Sequence, residues 1–290
     1  MKLLLPFLLL GTMCFGQSKT SSPEAGYIRV AKSRIYYESR GSGKPVLLLH
    51  AGLLDHGMWR QQVRALQTQF QVVTIDLPGH GATMYTDSTL VIADVIKIVL
   101  DSLHLPKASI VGLSMGSLAA QDFVIAYPAR VDKAVFLSPG INGWERRFPA
   151  DTVTKRFVTE FYQTLANHDS AATAEVFAHY WGDGLGRDKS WNPRVRQYIY
   201  ATTYRSIVHH RATTWPLFSE SPFAIDAVSG IRCPVLIIYG ANDLPSVLSA
   251  SRYLESVIPG AKAMRIPGVA HMLNLEQPEA INKILMGFLR

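Results

Sequence analysis

Three side chains, Ser114, Asp243 and His271, have the types and the chain order needed for nucleophilic acyl transfer. A serine hydroxyl is nearly inert at neutral pH. It reacts when a histidine within hydrogen-bond reach takes its proton and a carboxylate holds that histidine in the correct tautomer. Ser114 stands in Gly112-Leu113-Ser114-Met115-Gly116, with glycine two residues away on either side. A serine presented on a very sharp strand-to-helix turn needs small neighbours, because side chains there collide with the adjoining strand and helix. Asp243 follows Gly240-Ala241-Asn242, and His271 ends Pro267-Gly268-Val269-Ala270-His271. The transition state of such a reaction carries a negative oxygen, which backbone N–H groups can hold. Met115, directly after the serine, is one candidate donor. Gly52 is the other, with Leu53 as its alternative, in His50-Ala51-Gly52-Leu53.

Each of these residues comes just after an apolar run. Ala108-Ser109-Ile110-Val111 precedes the serine turn, and Ser117-Leu118-Ala119-Ala120-Gln121-Asp122-Phe123-Val124 after it reads as a helix. Pro45-Val46-Leu47-Leu48-Leu49-His50, Val72-Val73-Thr74-Ile75-Asp76, Lys133-Ala134-Val135-Phe136-Leu137-Ser138 and Pro234-Val235-Leu236-Ile237-Ile238-Tyr239-Gly240 are further strand candidates. Continuous apolar runs suit strands covered on both faces, hence a parallel sheet between helical layers. The intervening residues 58–69 and 90–103 are expected to be helical, as are 248–257 and 279–289. Residues 27–30 and 34–38 read as two antiparallel strands, and 263–266 as a last edge strand. The fold class is therefore α/β, with reactive groups beyond the carboxyl ends of the strands.

The strand–helix alternation stops at Pro139 and resumes after about Asp226. The stretch between is rich in aromatics and carries no buried-strand run, which predicts a helical insertion, residues 139–226, over one end of the sheet. Its aromatics mainly form its own core, and a minority line a pocket. No carboxylate follows Ser138 in Pro139-Gly140-Ile141-Asn142, which favours Asp243 as the acid over Asp226, where the insertion returns to the sheet. Asp76 and His80, in Asp76-Leu77-Pro78-Gly79-His80-Gly81, have turn chemistry and are read as structural. His50 is read as a brace for its loop.

The N-terminus is different in kind. Met1-Lys2, an apolar run over residues 3–10 and small residues at Cys14 and Gly16 match a secretory signal peptide, residues 1–16, and the run is too short to span a bilayer. Acylation of Cys14 is the alternative. A flexible lead-in, residues 17–26, follows. The expectation is a secreted or periplasmic protein with no stable membrane span once the signal is removed. Cys233 would then be the remaining cysteine, so no intrachain disulfide can form. With 48% hydrophobic and 18% charged residues the chain has the composition of a compact domain. Its formal charge is +7, but Lys and Arg are dispersed and form no stripe with aromatics, which argues against nucleic-acid binding. No Gly-rich dinucleotide or phosphate motif and no convincing metal set is present, so neither cofactor nor metal is implied. His209 and His210 are adjacent and would diverge on a helix.

With these residues in place the chain resembles the α/β-hydrolase superfamily, over residues 27–290. The motifs that carry the resemblance are His50-Ala51-Gly52, Asp76-Leu77-Pro78-Gly79-His80-Gly81, Gly112-Leu113-Ser114-Met115-Gly116, Gly240-Ala241-Asn242-Asp243, and His271 before Glu276-Gln277-Pro278. The resemblance implies an eight-stranded, mostly parallel sheet formed by residues 27–138 and 227–290, with residues 139–226 as a helical cap. Ser114 separates the chain from relatives with an aspartate nucleophile, the dehalogenases and epoxide hydrolases. Ala51 stands where the superfamily usually has glycine. The expected activity is hydrolysis of a carboxylic ester, lactone or related acyl compound, with an apolar small-molecule substrate. A carbon–carbon bond hydrolase or an acyltransferase would use the same triad. A non-catalytic binding protein on this fold is disfavoured by the complete set of three. Substrate identity and oligomeric state are not encoded in these motifs.

Overall fold

A computed structural model describes residues 24–84, 90–187, 191–210 and 216–290. The expected signal segment with Cys14, most of the lead-in, and Trp215 of the insertion lie outside the described residues.

The chain opens with the antiparallel pair β1 (Glu24–Val30) and β2 (Ser33–Arg40). β1 begins at Glu24 rather than Tyr27, inside the expected lead-in. Glu24, Ala25 and Gly26 pair with Ser39, Glu38 and Tyr37, and the Tyr37 hydroxyl donates to Glu24 Oε1 at 2.6 Å. Then follow β3 (Lys44–Leu49), a 3₁₀ turn (His56–Trp59), α1 (Arg60–Leu66), β4 (Phe70–Ile75), α2 (Ile92–Ser102), β5 (Ala108–Leu113), α3 (Met115–Ala126) and β6 (Val131–Leu137). The helix expected over 58–69 is shorter because a local cap and a tertiary tie set its start. Asp55 Oδ1 accepts from Gly57 N at 2.9 Å, and Asp76 Oδ1 accepts from His56 N at 2.7 Å.

After β6 come α4 (Thr152–Ala166), α5 (Ser170–Ala178), a π-helical turn (His179–Asp183), α6 (Pro193–His210) and α7 (Ala224–Ala227). Asp151 and Asp169 cap α4 and α5 by accepting from Thr154 N and Ala172 N, each at 2.9 Å. The sheet resumes with β7 (Val235–Gly240), α8 (Pro245–Val257), β8 (Lys262–Ile266), α9 (Leu273–Glu276) and α10 (Pro278–Leu289).

The strands form one eight-stranded sheet in the order β1-β2-β4-β3-β5-β6-β7-β8, antiparallel through β1, β2 and β4 and parallel from β4 to β8. Its pattern follows from the apolar runs. Every residue of β5 and of β7 is buried, whereas β2 alternates because one face meets solvent. Successive residues point to opposite faces and feed two cores. Leu47, Leu49, Ile110, Phe136 and Ile237 pack with α2, α3 and α8 on one face. Val46, Leu48, Val111, Val135 and Ile238 pack with α1 and α10 on the other. Each such fully buried aliphatic contributes about 1.5–3 kcal/mol through area removed from water. The parallel strands all present their carboxyl ends to one edge, and the loops after β3, β5, β7 and β8 meet there. Among the described residues no helix is long and apolar enough to cross a membrane.

Candidate active site

Ser114 occupies the turn between β5 and α3 with φ 54° and ψ −115°, a left-handed backbone that costs a non-glycine residue free energy. The turn is held from both sides. Ser114 N donates to Leu137 O on β6 at 3.0 Å, and Ser117 N donates to Ser114 O at 2.8 Å. The flanking glycines are steric requirements. A Cβ on Gly112 would lie 2.0 Å from Gly116 O, and one on Gly116 would lie 2.1 Å from Leu49 O. Strand, turn and helix thus touch backbone to backbone, and the serine is lifted to the sheet edge.

His271 and Asp243 meet behind this turn. His271 Nδ1 lies 2.9 Å from both carboxylate oxygens of Asp243, and Asp243 Oδ1 also accepts from Leu244 N at 2.8 Å. With an anion on Nδ1, that nitrogen carries the proton and Nε2 is the lone-pair side. Nε2 is buried and has no hydrogen-bond partner among the described residues, and His271 lines the same pocket as Ser114. The His271 carbonyl accepts from Ser138 Oγ at 2.9 Å. Ser138 itself adopts φ 41° at the end of β6, so two strained serines bracket the histidine loop.

Met115 opens α3, where a backbone N–H has no intrahelical acceptor, and it lines the pocket beside Ser114. Of the two candidates for the second donor, Gly52 lines the pocket, while Leu53 is buried beneath the turn with φ 57°. His50 shapes that turn. Its Nε2 accepts from Leu77 N at 2.8 Å, so its Nδ1 donates to Ala51 O, also at 2.8 Å. Complete burial lowers its pKa and keeps it neutral in this role.

The residues read as structural are placed accordingly. Burial works to raise the Asp76 pKa, but hydrogen bonding and charge from His56 outweigh it and hold the carboxylate below its usual value. Asp76 accepts from His56 N, His56 Nδ1 and Ala82 N, and so ties three loop segments together. His80 is pushed down to about 3 by burial, and its Nδ1 donates to Pro78 O at 2.9 Å. Asp226 pairs with Arg147 at the surface, 2.6 Å apart, away from His271. Cys233 is half-buried, and burial raises its thiol pKa.

The pocket over Ser114 encloses about 400 Å³. Its walls come mainly from the insertion and include Trp144, Phe157, Phe161, Phe177, Trp181 and Phe218. The Trp181 ring rests on the His271 imidazole, with centroids 4.2 Å apart and a 48° tilt. Two further polar residues support the pocket from α3. Gln121 Nε2 donates to Gly140 O at 2.8 Å, and Asp122 Oδ2 accepts from Ser219 N at 2.7 Å. Asp122 is buried, and burial pushes its pKa up to about 6. A signal for this pair lies in the sequence, as two polar residues inside an otherwise apolar helix. Nothing comparable marks Ser138 or Trp181.

Comparison with known proteins agrees with this architecture. The alpha/beta hydrolase fold family matches residues 44–278. Carboxylesterase YbfK of Bacillus subtilis (strain 168) is 27% identical over 277 residues, spanning 92% of this chain and 88% of that protein. A putative carbamate hydrolase, RutD of Caulobacter sp. (strain K31), is 31% identical over 88% of this chain and 95% of its own length. Among solved structures, Est816, described as an N-acyl homoserine lactone degrading enzyme, superposes with a TM-score of 0.74 at 26% identity, covering 91% of this chain and 100% of that one.

Proposed function

The chain belongs to the alpha/beta hydrolase family, and from that premise we propose that it is a secreted serine esterase acting on small carboxylic esters or lactones. The similarity to a carboxylesterase and to a lactone-degrading enzyme supports hydrolysis of an acyl substrate. The observation that carries the finer reading is the pairing at His271. Its Nδ1 is held by Asp243, while its Nε2 is buried, without a partner among the described residues, and His271 lines the pocket with Ser114.

In this reading Ser114 Oγ attacks the carbonyl carbon as His271 Nε2 takes the hydroxyl proton. Asp243 keeps Nδ1 protonated and stabilises the imidazolium that forms. The oxyanion accepts from Met115 N–H and from the Gly52–Leu53 turn, where removal of one donor in such a site costs roughly 2.7–4 kcal/mol of transition-state stabilisation. The tetrahedral intermediate collapses, and the leaving alkoxide takes the proton from Nε2. Water, activated by the same nitrogen, then releases the acid from Ser114. Residues 139–226 act as the cap that walls the acyl pocket with aromatic rings, which suits an apolar acyl group. Export rests on residues 1–16 of the sequence.

Ser114→Ala tests the proposal. The variant is expected to keep its fold by circular dichroism, to lose turnover of short aryl esters, and to escape labelling by a fluorophosphonate. Undiminished esterase activity in folded Ser114→Ala would remove Ser114 from the mechanism.

A further inference from the structure

A hydrogen bond to Asp243 pins one atom of the His271 ring. The loop that bears the ring leaves an edge strand, β8, so the direction of Nε2 also depends on how that loop is held. A second constraint is needed to aim Nε2, and one is built into residues 181–187, at the end of the π-helical turn.

Three contacts tie this segment to the acid and base loops. Leu185 N donates to Asn242 O at 2.8 Å and Asn242 Nδ2 returns to Leu185 O at 3.0 Å, directly beside Asp243. Arg187 Nη1 reaches Glu276 Oε2 at 2.6 Å and Gly268 O at 3.1 Å, while its Nη2 reaches Glu276 Oε1 at 3.2 Å. Glu276 Oε1 also accepts from Ala270 N at 2.8 Å, one residue before His271. The Trp181 indole lies against the imidazole face. The approach is close enough to require glycine at 184, where φ is 76° and a Cβ would meet Ala270 Cβ at 2.3 Å.

The Arg187–Glu276 pair is buried, with both side chains 3% exposed. Burying two charges repays little net stability, because desolvation offsets the attraction. A forked guanidinium–carboxylate pair does impose a fixed geometry. That geometry is delivered to the backbone of Gly268 and Ala270, which is where the direction of the His271 side chain is set.

We propose that Arg187 and Trp181 are positioning residues for acyl transfer: the insertion, and not the sheet alone, aims the His271 imidazole at Ser114. This rests on the serine-hydrolase reading above. Arg187 fixes the loop through Glu276 and Gly268 O, and the Trp181 indole packs on the imidazole.

The test uses the full chain carrying Arg187→Met with Glu276→Gln, which removes both charges and keeps an acceptor for Ala270 N–H. Trp181→Ala and Trp181→Phe form the second arm. Readouts are kcat and KM on a short aryl ester, and the rate of labelling by a small dialkyl fluorophosphonate. Displacement of a reacting group by 1 Å can cost about 100-fold, so kcat and labelling rate are expected to fall together by roughly 10–100-fold. KM should stay within about twofold of wild type in the double variant. Trp181→Phe should recover most of the rate lost in Trp181→Ala. Native kcat and labelling rate in folded double variant and folded Trp181→Ala would overturn the proposal, as would a change confined to KM. Should the double variant not fold, the Trp181 pair decides alone. Persistent activity in Ser114→Ala is the separate outcome that would remove the underlying mechanism instead.

Discussion

The contact between Gly116 and the end of β3 makes a single methyl group a sensitive probe of the turn at Ser114. In Gly116→Ala the new Cβ would sit 2.1 Å from Leu49 O, 2.5 Å from Leu49 C and 2.7 Å from His50 O, where ordinary contact begins at 3.4 Å. All three atoms are backbone, so no side chain can rotate away. The start of α3 and the end of β3 must therefore separate by about 1 Å, an overpacking strain of roughly 1–3 kcal/mol. Met115 is the first residue of α3, and the Gly52 turn is the immediate extension of β3. The same displacement therefore opens the gap between the two proposed oxyanion donors. Loss of one donor lowers kcat by about 10²–10³. The expectation is a folded variant with a melting temperature lower by roughly 3–10 °C and kcat reduced about 100-fold or more. Gly230→Ala is the control, because nothing lies within 4 Å of the position its methyl would take and no left-handed φ is involved. Thermal unfolding and steady-state kinetics on a short aryl ester read both effects. A Gly116→Ala protein with wild-type kcat would refute the assignment of these two backbone segments to oxyanion binding.

Other expectations follow from single contacts. Asp243→Asn keeps an acceptor for Leu244 N–H but presents an N–H₂ toward His271 Nδ1, so kcat should drop by about 10⁴ with the fold intact; a loss under tenfold would contradict Asp243 as the orienting acid. The Asp122 carboxyl, raised to about 6 by burial, holds its proton longer in the folded chain than at the unfolded value near 3.9. Folding stability from this group is therefore greatest below about pH 4 and falls as pH rises to about 6. Asp122→Asn should remove that loss, gaining up to roughly 3 kcal/mol over wild type above pH 6 and nothing near pH 4. Urea unfolding across pH 4–8 checks this, and a pH-independent difference would count against it. Gly287→Ala, in α10 with open space around the site, should stabilise the protein by about 0.5–1 kcal/mol and leave turnover unchanged.

The sheet is legible in the sequence because its signals are local. Runs such as Val235–Gly240 are buried along their whole length, and glycine marks the places where strands end. Ser114, Asp243 and His271 can be named because each follows such a run by a few residues. What supports them cannot. Arg187 and Glu276 lie 89 residues apart, and their pairing depends on how the insertion folds back over β8. The same holds for the choice of pocket aromatics. Phe157 and Phe161 stand four apart on α4 and face the pocket together with Trp181, three of many rings whose partners only tertiary packing selects. The 3₁₀ start of α1 is only partly local, in the Asp55 cap on Gly57 N, since Asp76, twenty residues on, also holds His56 in place.

The placement of His271 also has a consequence for biosynthesis. His271 lies in the last loop before α9 and α10, and α10 packs on α1, where Gln62 Nε2 donates to Asn282 Oδ1 at 3.0 Å. During translation Ser114 and its turn emerge long before His271, the base proposed for it. In the proposed mechanism a growing chain therefore carries the serine without its base until His271 has been made.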